Sequence, residues 1–127
     1  MKLIFPLAAI FALSLPAQKC NEKKKQDQDA IYRGKLEIKA LCMNYTIRLI
    51  EGNLDTSQVV ANWTDETTGK SYTNAFGLAN PCDFPESLGQ GDEFYFTLDT
   101  VKDRNCAVCM AYYPTPRKKL IIKVVAR

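Results

Sequence analysis

From Lys35 onward the chain alternates. Leu36, Ile38, Ala40 and Cys42 fall on one side, and Lys35, Glu37 and Lys39 on the other. A period of two with one polar face marks a half-buried strand, because successive side chains point to opposite faces. Past Met43 the phase slips. Tyr45, Ile47 and Leu49 now carry the apolar side, and Asn44, Thr46 and Arg48 the polar one. One extra residue near Met43–Asn44 produces such a slip, as a β-bulge does. The pattern therefore predicts one long, bent first strand ending near Glu51–Gly52, with Cys42 on its core side.

Two further runs, "VVANWT" and "SYTNAFGL", flank the turn-rich "DETTGK", in which Gly69 supplies a residue free to take positive φ. This predicts a hairpin, 59–64 with 71–78, whose inward anchors are Trp63, Tyr72 and Phe76. "LANPCDFPESLGQG" has two prolines, two glycines and no sustained period, so it reads as a loop or short helical turn. "DEFYFTLD" alternates again, with Phe94, Phe96 and Leu98 opposite Glu93, Tyr95 and Thr97. "CAVCMAYY" fits a strand or a single turn. "PTPRKK" interrupts, and "KLIIKVV" closes as a strand. No segment holds a helical period.

The fold class predicted is all-β: a small five- to six-stranded antiparallel barrel or sandwich, which are the solutions that bury strand edges in so short a chain. The layout of a long first strand, a hairpin, an irregular link and two more strands resembles the OB-fold barrel. "QGDEFYFTL" looks like the glycine-started central strand of many OB domains. The chain as a whole is similar in layout to small secreted or lipid-anchored proteins of Bacteroidota-type bacteria. That resemblance implies export and brings no activity with it.

The N-terminus sets the compartment. Behind Lys2, "LIFPLAAIFALSL" is almost wholly apolar. It is shorter than the roughly 20 residues of a membrane span but fits the apolar region of a secretory signal. The division predicted is 1–19 as signal, 20–31 as a flexible tether and 32–127 as one β domain. Cleavage after Ala17 would release the protein. A lipid on Cys20 would anchor it instead, although Lys19 departs from the small residue normal before a lipidated cysteine. Asn21 to Asp29 carries both charge signs and no apolar side chain, so it cannot offset its own ordering entropy. The localisation expected is periplasmic or outer-membrane-anchored, otherwise secreted.

Composition narrows the chemistry. Without the first 19 residues the chain has 15 basic and 14 acidic residues, a net charge of +1. So near neutral a body gives no electrostatic footing for nucleic acid. Histidine is absent, which removes Ser-His and Cys-His nucleophile pairs, imidazole metal ligands and a general base with an unperturbed pKa near neutrality. No catalytic residue, cofactor or metal is expected.

Five cysteines are an odd number for an exported chain. With Cys20 outside the fold, Cys42, Cys82, Cys106 and Cys109 can close as two disulfides in three ways. A bridge from Cys42 or Cys109 to Cys82 would pin the proline-bounded loop. "CAVC" is also a C-x-x-C, the spacing of thiol redox sites. The two prolines of "MAYYPTP" forbid the long helix such a site needs. The pairs Cys42–Met43 and Cys109–Met110 are soft donors suited to Cu(I), but neighbours on a strand diverge, and methionine filling a core gap is the plainer reading.

"AYYPTPRKK" is the most suggestive surface stretch. Tyr112, Tyr113, Arg117 and Lys118, with Tyr95, are the candidate binding residues, tyrosine and arginine being favoured at contact centres. The function expected is a non-catalytic binding or structural module of the cell envelope. It is a monomer with an unknown protein or envelope partner, inhibitor-like in one version. The alternative is a thiol redox or soft-metal protein using Cys106 and Cys109.

Overall fold

The structure is a computed structural model that describes residues 30–101 and 105–127. The signal, Cys20 and most of the tether expectation lie outside the described residues. The described chain is all-β. Seven strands form in order: β1 (Tyr32–Ala40), β2 (Asn44–Glu51), β3 (Val60–Asp65), β4 (Lys70–Leu78), β5 (Glu93–Leu98), β6 (Lys119–Leu120) and β7 (Ile122–Val125). They join in one sheet of order β3-β4-β2-β1-β5-β7, with β6 on β4.

The alternation in "KLEIKALC" gives the expected strand, with Tyr32, Gly34, Leu36 and Ile38 buried and the residues between them half-buried. Beyond Ala40 the chain does not continue as one bent strand. It reverses, and β1 and β2 pair antiparallel, from Ala40 opposite Asn44 to Arg33 opposite Glu51. The phase slip at Met43–Asn44 is therefore a hairpin turn. Cys42 (φ 57°, ψ 33°) and Met43 (φ 59°) are both left-handed, the geometry of a two-residue primed turn whose twist matches the strands. The Asn44 N–H donates to the Leu41 carbonyl and closes it. Such turns ordinarily carry Asn-Gly, and Cys-Met hides the signal. Cys42 accordingly sits in the turn, half-buried, and not on the core face. Bulges do exist in this pair, but between Arg33 and Gly34 and between Leu36 and Ile38.

The hairpin of β3 and β4 forms as expected, Val60 opposite Ala75 and Asp65 opposite Lys70. Of its three anchors only Phe76 is fully buried. Trp63 and Tyr72 are half-buried and stack on each other, centroids 5.9 Å apart. "DEFYFTLD" forms β5 with Phe94 and Phe96 buried. The core gathers Leu36, Ile47, Phe76 and Phe96, none with any exposure, and Phe76 packs on Phe96 at 5.7 Å. Gly34 makes room there: a Cβ on it would stand 3.0 Å from Ile47 Cγ2 and from Phe96 Cε1. Phe84, from the loop after β4, enters the same core and meets Phe94 edge-on at 5.2 Å.

The last run divides at Ile121. β6 lies parallel to β4, Gly77 opposite Lys119, and β7 lies antiparallel to β5, Phe96 opposite Val124. The chain thus touches both flanks of the curled sheet, but the sheet is not a closed barrel and has seven strands where five or six were expected. Asn80 holds the division. Its buried amide donates to the Ile122 carbonyl at 2.7 Å and accepts from the Ile122 N–H at 3.0 Å, standing in for a strand neighbour.

Candidate functional site at the disulfide-bridged end

The four cysteines of the domain pair as two bridges. Cys42 joins Cys109, Cα atoms 4.9 Å apart, and Cys82 joins Cys106, 5.5 Å apart. Both separations lie inside the range disulfides need. The pairing corrects the expectation that Cys42 or Cys109 reaches Cys82. It also divides the C-x-x-C, since each of its sulfurs is bonded to a different loop and neither to the other. The same bonds occupy Cys42 and Cys109, the sulfurs of the soft-donor reading. Met110 does not fill a core gap either, being 95% exposed.

Three segments meet at this end: the β1–β2 turn (Leu41–Met43), the short turn Pro81–Asp83, and the irregular run 105–118 that bears Cys106 and Cys109. Several contacts fix them beside the bridges. The Asn44 amide donates to the Leu41 carbonyl at 3.0 Å and to the Ala111 carbonyl at 3.1 Å. Lys39 Nζ donates to the Leu88 carbonyl at 2.7 Å, and the Lys39 N–H to Gln90 Oε1 at 2.8 Å, which secures the far part of the proline-bounded loop.

Tyr113 locks the run to the β3–β4 turn. Its hydroxyl donates to Asp65 Oδ2 at 2.5 Å and lies 2.9 Å from Thr67 Oγ1. The other Asp65 oxygen accepts from the Thr67 N–H at 2.8 Å and the Thr67 hydroxyl at 2.7 Å. Burial by itself would push the Asp65 carboxyl up, but these donors, Tyr113 first, hold it below the usual carboxylate range. The carboxylate in turn pushes the Tyr113 phenol up. Tyr113 is thus a structural tether of the loop. Pro114 and Pro116 behind it are buried.

The remaining candidate residues separate. Tyr112 is 78% exposed at the bridged end. Arg117 is exposed and Lys118 half-buried. Asp55 is held below the usual carboxylate range by its bonds from Ser57 first, and the nearby Lys118 charge adds to the effect. Tyr95 lies elsewhere: it is opposite Arg33 near the first residue of β1, with the Arg127 guanidinium over its ring at 5.2 Å. Tyr95 and the run 112–118 do not form one surface.

Four large apolar side chains are exposed at the bridged end instead: Leu41 (56%), Val108 (48%), Met110 and Tyr112. Leu41 adjoins Cys42, and Val108 and Met110 flank Cys109, so one disulfide underlies all three. Residues 105–116 contain no charged side chain. A gathered apolar patch marks an interaction site, whereas scattered single residues do not. The signal is present in "LCM" and "VCM", where apolar residues bracket a cysteine of a surface loop, but strand periodicity places Cys42 inward. Beside the ridge opens a cleft of about 310 Å³ lined by Met43, Asn44, Leu78, Ala79, Val108 and Lys119. Among the described residues no cluster of acidic or sulfur side chains suited to a metal occurs.

Comparison with known proteins adds no identity: no family model, curated protein or solved structure matches the chain. The two disulfides are the mark of an oxidising compartment outside the cytoplasm.

Proposed function

We propose that this chain is an exported, envelope-associated binding module without catalytic work of its own. On this reading it engages a protein partner through the ridge of Leu41, Val108, Met110 and Tyr112, in the manner of a hydrolase inhibitor. The observation that carries this reading is the coincidence of exposed apolar area with covalent bracing, both disulfides converging on the end where apolar side chains meet solvent. A contact loop already ordered loses little entropy on binding, so more of the contact energy appears as affinity.

The anchored version of the reading has a polarity. The tether would join the domain at Ile31, where β1 begins, and β1 runs from there to the ridge. Nine strand residues span roughly 27–30 Å. A lipid on Cys20 would thus hold one pole of the domain and present the ridge at the other, away from the bilayer that bears the lipid.

Photo-crosslinking tests the proposal. A benzophenone amino acid is placed at Met110, at Tyr112 and, as a control, at Lys123 on β7 of the full-length protein in its exporting cell. The adduct expected from 110 and 112, and not from 123, is identified. The purified partner is then bound by calorimetry to the wild type and to Met110→Asp, which should weaken binding at least about tenfold, as a contact-centre residue does. Equal adducts from all three positions, or unchanged affinity for Met110→Asp, would remove the ridge from the account.

A further inference from the structure

Lys119 is placed with unusual care for a surface cation. It is the first residue of β6 and pairs with Gly77 of β4. Gly77 has no Cβ, and one built there would meet Lys119 Cγ at 3.1 Å. The missing side chain lets the lysine stem lie across the β4 backbone, and Lys119 is part of the wall of the 310 Å³ cleft. Long cationic side chains rest their methylenes on apolar surface in this way and keep the charge in water. Among the described residues Lys119 makes no ion pair and donates no side-chain hydrogen bond. The other side chains at the wall carry no charge: Leu78, Ala79, Val108 and Met43 are apolar, Cys42 and Cys106 are bound in disulfides, and the Asn44 amide is engaged with Leu41 and Ala111. The volume falls at the small end of the range for ligand clefts.

We infer that the cleft receives a carboxylate-bearing apolar peptide segment of the protein partner, its carboxylate on Lys119 and an adjacent aliphatic side chain against Leu78 and Val108. This rests on the binding-module reading and names the chemistry of its partner. Val108 belongs to both the cleft wall and the ridge, so a single peptide can lie across the two. The charge chooses the ligand: an ammonium with no partner among the described residues, set beside the apolar side chains of Leu78 and Val108, is complemented by an anion carried on an apolar chain.

The test is a titration of the full domain, ¹⁵N-labelled, with two tetrapeptides, acetyl-Leu-Ala-Leu-Glu-amide and its glutamine counterpart. The glutamate peptide should shift the amides of Asn44, Ala79 and Val108 saturably. It should bind roughly three- to fivefold more tightly than the glutamine peptide at low salt, the scale of one exposed ion pair, and the margin should shrink as salt is raised. Lys119→Gln keeps most of the stem and removes the charge. It should erase the margin while the rest of the spectrum stays in place. Equal affinities for the two peptides, a margin that survives Lys119→Gln, or shifts confined to other surfaces would overturn the inference. Those results alongside an intact effect of Met110→Asp on the partner would leave the ridge standing. Loss of the Met110 effect would instead remove the reading on which the cleft depends.

Discussion

Asp65 is a carboxylate with 1% of its surface exposed and four donors on its side chain and backbone oxygens from Thr67, Thr68 and Gly69 besides Tyr113. A buried charge persists only when so satisfied. Because the folded-state pKa is held below the usual value, the stability it confers is fully present above the unfolded value of about 3.9 and is lost as pH falls through the folded one. Tyr113→Phe removes the first of the donors. The variant should melt lower at pH 7, and its acid unfolding should begin at a higher pH than that of the wild type, both measurable by circular dichroism. Core packing gives a second residue-scale prediction. Gly34→Ala places a methyl 3.0 Å from Ile47 and Phe96, and overpacking of this kind should cost about 1–3 kcal/mol in urea unfolding. Residue identity alone announced neither role. Asp65 stands beside Glu66 in a turn-rich stretch where a carboxylate ordinarily meets solvent, and the donor that satisfies it comes from a tyrosine 48 positions away.

At the scale of elements, alternation located β1, β2, the β3–β4 hairpin and β5, because period two is a local property of each run. It missed the reversal at Leu41–Met43, since left-handed backbone at Cys42 and Met43 is held by tertiary links (the Cys109 bridge and the Asn44 amide) and by no local glycine. The division of the last run at Ile121 was equally hidden, because "KLIIKVV" has one uninterrupted strand pattern and only its two neighbours, β4 and β5, split it. Asn80 makes the split tolerable. Asn80→Ala would strand the buried N–H and C=O of Ile122, at a cost of about 2–3 kcal/mol. Hydrogen exchange should show it: the Ile122 and Val124 amides should lose protection more than those of β1. Uniform loss across the sheet would contradict a local role.

At the scale of the molecule, a sheet that is not closed is held at one end by two covalent links. In the chain-entropy account, bridges with separations of 67 and 24 residues contribute roughly 3–4 kcal/mol each, a large share of the 5–15 kcal/mol typical of a domain. Reduction should therefore lower the melting temperature sharply, and the loops at 41–43 and 105–116 should become protease-sensitive before β1 and β5. The number of cysteines foretold two bridges, but their partners were not legible, because pairing depends on which loops the fold brings to one end. The ridge was hidden for the same reason: Leu41 and Val108 are 67 residues apart in the chain and neighbours only through the Cys42–Cys109 bond.

The structure divides the C-x-x-C between two loops, the arrangement on which the proposed binding reading rests, and a non-reducing tryptic map tests it directly. Residues 40–48 contain Cys42, residues 71–102 contain Cys82, and residues 105–117 contain both Cys106 and Cys109. The structure predicts one species in which all three peptides are joined, falling apart on reduction. A free peptide 105–117 two mass units light, with 40–48 joined only to 71–102, would mean a Cys106–Cys109 bridge and would contradict the account.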